Sequence, residues 1–422
     1  MIRAIPRASV DIKPREIASI IFCLMRPSSS LKENLAERFE SAFAEYVGTR
    51  GAVSFSSGRA ATFFALKSLG LAEGDEVIMP AFTFWVDAAM VVLAGLKPVF
   101  VDVDVESANI VPDQIESKIT ARTKVLFITH LNGLPVDMKK IVQIAYSRNL
   151  RIIEDCARSC GVKIGGRRLG TSDIGMFSFG FGKNLFLFGG GGMLASNDEL
   201  LLEHLRSMKK EFRRVSRADL FRQVTKGLIL TLVNRPLVFR FSLFPLFKAY
   251  HVRKNKLAAR LLRPKKTIYE KIPSLFFKPM GVAQARQGLF ALSRLDDRNG
   301  QITQNSQFLR EALSGIPGLQ TFRVRESPSH EMLYFSLLIE NKKELMDYLY
   351  TKKIEIEEES ASDLTRHELF REYAQDAGYP NAARLDQKMM FLPNHPGLRK
   401  NDFSYIVQKI RDFYGEKTGR GS

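Results

Sequence analysis

The feature that most constrains the fold of this chain is the alternation of apolar runs and helical stretches through residues 51–196. The predicted strands are residues 51–55, 76–79, 98–103, 124–129, 151–155 and 176–179, and the predicted helices are residues 59–69, 112–119 and 137–147. Most of the strand residues are apolar, which is typical of strands buried on both faces. The pattern therefore predicts an α/β fold with a mostly parallel sheet that helices cover on both sides.

Residues that are able to take part in binding or catalysis follow three of these strands. Gly58 comes after the first strand, Asp155 ends the fifth, and Lys183 comes after the sixth. Ligands of open parallel sheets bind outside the carboxyl ends of the strands. We therefore expect Gly58, Asp155 and Lys183 to lie at one edge of the sheet.

Lys183 and Asp155 are the candidate catalytic residues. Lys183 lies shortly before four consecutive glycines, residues 189–192. A lysine amine forms a Schiff base with pyridoxal phosphate, and a carboxylate keeps the pyridine nitrogen protonated so that the ring accepts electrons. Burial lowers the pKa of a lysine enough for it to act as a base. The alternative is structural, because strand-end acids often cap helices and most lysines are solvated.

The turn at residues 56–61 is a candidate phosphate site. Gly58, Arg59 and Ala60 stand at the start of a predicted helix, where free backbone amides bind anions, and Ser178 is the nearby hydroxyl. Gly58 lets the backbone approach closely, and Arg59 is able to grip phosphate with two hydrogen bonds. A plain helix-capping turn remains the alternative. Phe84 either stacks on a flat cofactor ring or belongs to the core.

Composition limits the other classes of site. The three cysteines of this chain have no framework spacing, which favours a reducing, cytoplasmic compartment over a disulfide scaffold. No histidine and cysteine group has zinc spacing, so we expect no metal. We find no cleavable signal peptide and no apolar run long enough to cross a bilayer.

Six motifs carry a family resemblance. They are residues 56–61, 74–80, 98–104, 130–138, 153–155 and 177–185, which stand in one order along the chain. Together they resemble the pyridoxal-phosphate-dependent sugar aminotransferases of the DegT/DnrJ/StrS family. The resemblance covers residues 35–196 well and resumes more weakly from residue 279.

The resemblance implies a fold-type I aminotransferase with a smaller C-terminal α/β domain and an active site at the interface of a homodimer. By position, Lys183 is the Schiff-base lysine and proton shuttle, Asp155 pairs with the pyridinium nitrogen, and Phe84 stacks on the ring. Ser178, Gly58 and the residue at position 59 hold the phosphate. An amino acid, typically glutamate, gives its amino group to a keto sugar on a nucleotide.

The sequence leaves two alternatives to an aminotransferase open. Family members that act as dehydratases have histidine in place of the lysine, so Lys183 favours amino transfer over a sugar dehydratase. A non-catalytic protein that kept the fold is the other alternative. The family usually has threonine at position 59 and glutamine at position 158, where this chain has Arg59 and Arg158. Arg158 is placed to contact a ring oxygen or a substrate anion.

The positive charge of the chain is concentrated in residues 209–271. This basic segment has 18 Lys and Arg against three acids, a net charge of +15 out of +18. Its leucines and phenylalanines between cations suit an anionic membrane surface, such as the inner membrane face, and a membrane-bound enzyme would accept a lipid-linked sugar. A structural arm on the partner subunit is the alternative, and nucleic acid is the least favoured partner.

We expect three regions along the chain. Residues 1–208 form a large domain that binds pyridoxal phosphate, residues 209–272 form a basic, aromatic-rich insertion, and residues 273–422 form a small C-terminal domain with a connecting helix. Within the last region the pattern predicts one long helix at residues 283–313, a strand at 332–338, and helices at 343–352 and 402–414.

Overall fold

A computed structural model describes residues 4–25, 34–213, 215–262, 266–322, 333–357, 361–374 and 378–418. The strands are Gly51–Phe55 (β1), Glu76–Pro80 (β2), Phe82–Thr83 (β3), Lys97–Val101 (β4), Thr123–Thr129 (β5), Arg151–Asp155 (β6), Lys163–Ile164 (β7), Arg167–Arg168 (β8), Ile174–Ser178 (β9), Gly192–Ser196 (β10), Leu319–Thr321 (β11), Phe335–Ile339 (β12), Ser362–Asp363 (β13) and Met389–Leu392 (β14). The helices are Pro14–Met25 (α1), Leu35–Val47 (α2), Gly58–Ser68 (α3), Trp85–Leu93 (α4), Pro112–Ile115 (α5), Met138–Arg148 (α6), Glu199–Lys209 (α7), Arg217–Val233 (α8), Pro236–Phe241 (α9), Phe244–His251 (α10), Lys256–Leu262 (α11), Val282–Leu292 (α12), Leu295–Leu313 (α13), Lys342–Thr351 (α14), Pro380–Lys388 (α15) and Lys400–Thr418 (α16).

The central sheet has the strand order β1-β10-β9-β6-β5-β2-β4. Strands β9, β6, β5, β2 and β4 are parallel neighbours. β10 runs antiparallel to both β1 and β9, so β1 points the same way as the other strands. The predicted mostly parallel sheet is confirmed, with one reversed strand inside it.

Both faces of this sheet are buried. Along β5, Val125 and Phe127 join one apolar cluster, which includes α3 and α4, whereas Leu126 and Ile128 join a second cluster that includes α6. Successive strand residues point to opposite faces, so a strand that lies between two layers of helices must be apolar throughout. This packing explains the continuous apolar runs in the sequence.

The structure corrects several of the predicted boundaries, most of them by one or two residues. The predicted helix at residues 283–313 is wrong, because α12 ends at Leu292 and α13 begins at Leu295. Arg294 between them has non-helical φ and ψ angles of −117° and 5°, and its guanidinium pairs with Asp11 and Glu16. The predicted helix at residues 112–119 is α-helical only over α5 and continues as a 3-10 turn. Pro80 is the last residue of β2, one residue beyond the predicted strand at residues 76–79.

The C-terminal part forms a second, smaller sheet. β11, β12 and β14 are antiparallel, and α14 and α16 pack beside each other in the same part of the chain. The predicted strand at residues 332–338 overlaps β12 over residues 335–338; residues 333 and 334 precede β12, and residue 332 lies outside the described residues. The N-terminal segment joins this part through a bridge between Ile5 and Ile354. β3 of the large sheet region also pairs with β13, so both ends of the chain meet beside the central sheet.

The basic segment is helical through α8, α9, α10 and α11. Val224 of α8 is buried against α1 and Phe188, and a Cβ added at Gly227 would overlap the Phe188 ring. His251 of α10 stacks on Tyr350 of α14, with ring centres 3.8 Å apart. One side of the segment is therefore packed on the body of the protein. Among the described residues, no helix combines the length and the apolar character that crossing a membrane requires.

Candidate active site

The three strands that carry the predicted residues end at the same edge of the sheet. β1, β6 and β9 share one direction. Gly58 follows β1, Asp155 is the last residue of β6, and Lys183 follows β9. The structure therefore brings Gly58, Asp155 and Lys183 to one edge.

Lys183 is surrounded by charged side chains. The pKa of its amine is lowered to about 7, mainly by burial and secondly by Arg158, whereas Asp155, Asp87 and Glu357 oppose the shift. Its Nζ lies 5.9 Å from the centre of the Phe84 ring. A lysine in these surroundings is substantially neutral near pH 7, so it is able to act as a nucleophile and as a base.

Side-chain amides of α12 and α13 hold the loop that carries Lys183. Asn184 donates to Asn299 at 2.9 Å, and Asn299 donates to the Cys160 carbonyl at 2.9 Å. Gln287 of α12 accepts from the Phe188 N–H, and Gln284 donates to the Gly190 carbonyl. The loop is thus fixed by residues about a hundred positions further along the chain.

Asp155 is nearly buried, with 6% of its surface exposed. Its Oδ1 accepts from the Ala157 N–H at 2.8 Å, which stabilises the ionised carboxylate. Asp87, one helical turn after Phe84 in α4, lies within hydrogen-bonding reach of Asp155. Two carboxyl groups therefore meet beside Lys183.

A buried polar network lies beneath Asp155. His130 Nδ1 accepts from the Val136 N–H, so its Nε2 is the donor to Glu154 at 3.0 Å. Glu154 also accepts from the amides of Gly170 and Ser172. The donor atoms of His130, Glu154 and Cys156 lie within 4.8 Å of one another, but backbone amides already use His130 and Glu154. Burial raises the pKa of Glu154, and the bonds from His130 and the amides outweigh it and lower the pKa overall.

The start of α3 forms a close contact with β9. Ser57 caps the helix by accepting from the Ala60 N–H at 3.2 Å, and the earliest amides of a helix have no partner within it. A Cβ at Gly58 would lie 2.7 Å from Ser178 Oγ. A residue with a side chain would therefore push Ser178 away, and glycine leaves the hydroxyl beside the helix start.

Arg59 points away from this helix start. Its side chain is exposed, and its Nη1 donates to the Tyr269 hydroxyl at 2.9 Å. Ala60 is buried beneath the turn. The group that position 59 offers to an anion without moving is its backbone N–H in the first turn of α3. The Arg59 guanidinium was expected to bind phosphate with two hydrogen bonds. To do so it would have to break its hydrogen bond to Tyr269.

Phe84 and Arg158 flank Lys183 from two sides. Phe84 precedes α4 and follows β3, whose pairing with β13 ties this turn to the C-terminal part. Arg158 donates to Asn132 at 2.9 Å and lies 4.9 Å from the Tyr334 ring centre. A Cβ at Gly182 would overlap the Tyr334 hydroxyl, so Tyr334 packs directly against the residue before Lys183.

Four residues of this site are absent from the prediction made from the sequence. Asp87, Tyr334 and Glu357 lie near Lys183, and Arg7 forms an ion pair with Glu357. Asp87 had a signal, since it is an acid in the otherwise apolar helix α4 and lies three residues after Phe84. The other three come from the C-terminal part and the N-terminal segment, and their sequence surroundings carry no comparable signal.

These residues fit pyridoxal phosphate. The site offers a buried amine with a pKa of about 7, a strand-end carboxylate, a flat aromatic ring, and a helix start beside a serine hydroxyl. Such groups suit the aldehyde, the ring nitrogen, the ring face and the phosphate of that cofactor. Lys183 would hold the aldehyde carbon, Asp155 the ring nitrogen, Phe84 the ring face, and Ser178 with the α3 amides the phosphate.

Comparisons with known proteins find relatives and solved structures that are similar to this chain. The chain is 28% identical to GDP-perosamine synthase of Escherichia coli O157:H7 over 98% of this chain and 99% of that protein. It is 40% identical to a UDP-N-acetyl-3-dehydro-alpha-D-glucosamine 3-aminotransferase of Acidithiobacillus ferrooxidans over 46% of this chain and 53% of that protein. An aminotransferase structure from Psychrobacter cryohalolentis has a TM-score of 0.78 at 24% identity, covering 98% of this chain and 99% of that one.

A family model matches most of the chain. It covers residues 13–228 and 266–411, and the gap between the two parts falls inside the basic segment. The predicted family, the predicted fold class and the predicted cofactor, pyridoxal phosphate, are confirmed. The chain belongs to the DegT/DnrJ/EryC1/StrS aminotransferase family.

Proposed function

We propose that this enzyme moves an amino group from an amino acid to a keto sugar in the biosynthesis of a cell-surface polysaccharide or glycolipid. The observation that carries the proposal is the amine of Lys183, with its lowered pKa, beside the strand-end carboxylate Asp155. The match to an aminotransferase family supports the reaction type. Relatives named as sugar aminotransferases support the sugar acceptor. We expect glutamate as the donor and a nucleotide- or lipid-linked acceptor.

Pyridoxal phosphate, when bound, supplies an electron-accepting ring that carries the amino group between the two half-reactions. Lys183 would hold the cofactor, and its Nζ would take and return the proton that the reaction moves. Its pKa of about 7 lets the amine do both near neutral pH. Asp155 holds a proton on the ring nitrogen, and the Ala157 N–H keeps that carboxylate oriented.

The remaining site residues orient and enclose the reactants. Phe84 stacks on the ring face, and Ser178 and the amides at Gly58 and Arg59 bind the phosphate. Arg158 reaches from the Asn132 turn toward Tyr334, where a guanidinium is able to meet a ring oxygen or a substrate anion. The small C-terminal domain closes this side of the site and limits the access of water.

The proposed reaction is testable in its two halves. Purified protein with bound pyridoxal phosphate should be yellow and should bleach when glutamate is added, and Lys183→Ala should lose the absorbance band and the activity. Alanine and aspartate in separate reactions identify the donor. Protein that takes up no added pyridoxal phosphate would overturn the proposal and favour a non-catalytic role.

A sugar dehydratase is the second candidate for the acceptor reaction. Product analysis by mass spectrometry separates the two, because a transaminase leaves nitrogen on the sugar and a dehydratase removes a hydroxyl without adding nitrogen. We expect an amino sugar, since Lys183 is a lysine and not a histidine. A screen against nucleotide-linked and lipid-linked keto sugars identifies the carrier.

We further propose a homodimer in the cytoplasm. The family resemblance supports a dimer in which the partner completes the active site. Sedimentation velocity on the full chain should give twice the monomer mass of 47.8 kDa. A monomer that is nevertheless active would contradict the shared site.

The basic segment is proposed to bind an anionic membrane surface. Phe221, Ile229 and Leu232 lie on one side of α8 and are 64%, 56% and 53% exposed. Arg222 and Lys226 are exposed beside them. Exposed apolar side chains next to cations suit the headgroup region of an anionic bilayer. This attachment would place the enzyme at the inner membrane face and favour a lipid-linked acceptor.

Liposome co-sedimentation tests this attachment. The wild-type protein should pellet with anionic vesicles at low salt and not with zwitterionic ones, and Phe221→Ser with Leu232→Ser should weaken binding at least tenfold. Tyr146→Ser is the matched control, since Tyr146 is 91% exposed outside the segment. Variants that bind vesicles like wild type but lose the dimer would favour the structural arm, and binding to RNA alone would favour nucleic acid.

A further inference from the structure

Asp87 is a buried acid beside the cofactor carboxylate. It is 3% exposed and stands on α4, one turn after Phe84. Its Oδ2 has no hydrogen-bond donor within reach among the described residues. Buried polar atoms are almost always paired, so this oxygen requires an explanation.

The group within reach of Asp87 is another carboxyl group. Asp87 and Asp155 lie within hydrogen-bonding distance of each other. Two ionised carboxylates cannot hydrogen-bond, because neither has a hydrogen to donate. A buried pair of this kind is stable when one proton is shared between its members.

The surroundings decide which member carries the proton. Asp155 Oδ1 accepts the Ala157 N–H at 2.8 Å, which favours the ionised form of Asp155. No such donor reaches Asp87 Oδ2 in the described part of the chain. Burial, and then the charge of Asp155, raise the pKa of Asp87 well above its ordinary value, and the opposing effects of Lys183 and Arg158 are smaller.

We propose that Asp87 is a positioning residue that donates its proton to a hydrogen bond with Asp155, so that the pair carries one negative charge. The Ala157 N–H and the Asp87 O–H then hold Asp155 from two sides. The consequence for catalysis rests on the proposed function: a fixed, singly charged pair faces the ring nitrogen, while Lys183 and Arg158 supply the positive charges of the site.

Infrared difference spectroscopy on the full-length protein tests where the proton lies. At pH 8, above the pKa of about 7 of the buried Glu355, the wild-type protein should show the carbonyl stretch of a protonated carboxyl group, and Asp87→Asn should lose it. Asp102→Asn is the matched control, because Asp102 is buried and accepts the amides of Asn381 and Ala382. The band should survive in that variant. An unchanged band in Asp87→Asn would overturn the proposal.

Binding of pyridoxal phosphate tests the positioning role. Asp87→Asn keeps a donor for Asp155 and should bind the cofactor within about threefold of wild type, with the visible band unshifted. Asp87→Ala removes the donor and should bind at least tenfold more weakly, with a shifted pH titration of that band. Equal losses in both variants would mean that a charge at position 87 matters, and wild-type behaviour of Asp87→Ala would exclude positioning; either result overturns the proposal.

The two measurements keep this inference separate from the proposed function. The infrared band is recorded without cofactor, so it locates the proton even in a protein that binds no pyridoxal phosphate. Failure of the proposed function would instead remove cofactor binding from wild type and variants alike. Thermal unfolding of each variant shows whether a loss arises from the site or from a misfolded chain.

Discussion

Lys183 owes its reactivity to its neighbours and to burial. Desolvation penalises the ammonium form, and the guanidinium of Arg158 adds to that effect, whereas the nearby carboxylates only partly compensate. An amine with a pKa of about 7 is half neutral at pH 7, whereas an ordinary lysine has a pKa of about 10.4. A few buried charges therefore turn a common residue into a nucleophile.

Competitive labelling with acetic anhydride checks this reactivity in cofactor-free protein. Labelling of Lys183 should rise through about pH 7 and level off one to two units above it, because only the neutral amine reacts. Exposed lysines of the same sample should still be rising at pH 9. If Lys183 titrates together with them, the lowered pKa is contradicted.

Gly58 matters because of the space that it leaves. In Gly58→Ala the new methyl group would stand 2.7 Å from Ser178, and we expect about 1–3 kcal/mol of destabilisation from overpacking. Binding of pyridoxal phosphate should weaken at least tenfold. Thermal unfolding and fluorescence titration measure the two effects.

Gly300→Ala is the control for Gly58→Ala. It lies in α13, where nothing stands within 4 Å of the new Cβ, and it should be neutral or slightly stabilising. Adding Ser178→Gly to Gly58→Ala should restore stability without restoring cofactor affinity. Full recovery of binding in the double variant would show that Ser178 does not hold the phosphate.

At the scale of elements, α13 fixes the loop that follows β9. Asn299→Ala removes one partner from Asn184 and one from the Cys160 carbonyl. Each buried group left unpaired costs about 1–3 kcal/mol, so we expect about 2–6 kcal/mol for the two groups. Hydrogen exchange in residues 180–190 should accelerate, and the visible band of the bound cofactor should broaden.

Gln301→Ala on the same helix is the control for Asn299→Ala, because Gln301 is exposed. It should leave unfolding and hydrogen exchange as in wild type. If exchange in residues 180–190 is unchanged in Asn299→Ala, the loop is held by the bonds from Gln284 and Gln287 alone.

At the scale of the whole molecule, ion pairs of the N-terminal segment link the C-terminal part to the active site. Arg7 pairs with Glu355 at 3.3 Å and with Glu357 at 2.9 Å, and both acids are buried. Glu357 in turn acts on Lys183. The first residues of the chain thus balance charge in a site that is built from its middle and its end.

Arg7→Met should destabilise the protein by about 3 kcal/mol at pH 8, since it leaves two buried carboxylates without their cation. Burial raises the pKa of Glu355 to about 7 even with Arg7 present. The folded state therefore binds a proton that the unfolded state lacks between about pH 4.5 and 7, and the loss in the variant should shrink as pH falls through 7. Urea unfolding at pH 6 and pH 8 measures the free energy of unfolding that Arg7→Met loses. An equal loss at both pH values would contradict the prediction.

The regions proposed along the chain, 1–208, 209–272 and 273–422, stay a prediction, and the family model leaves only residues 229–265, inside the basic segment, unmatched between its two parts. Helices α8 to α11 fill most of that segment and pack on both neighbours. Limited proteolysis of the full chain is the measurement that would locate the boundaries.

The sequence by itself determined six strands and three helices through residues 51–196, without α4 or the reversed strand β10, and it placed Gly58, Asp155 and Lys183 at one edge. Periodicity and turn chemistry act within about ten residues, so they are readable along the chain. Only the tertiary structure decided the break between α12 and α13 and the hydrogen bond between Arg59 and Tyr269. It also decided that Glu357, Tyr334 and Asp87 lie around Lys183. Those contacts join residues that are mostly far apart in the chain, and burial and charge depend on which groups the fold brings together.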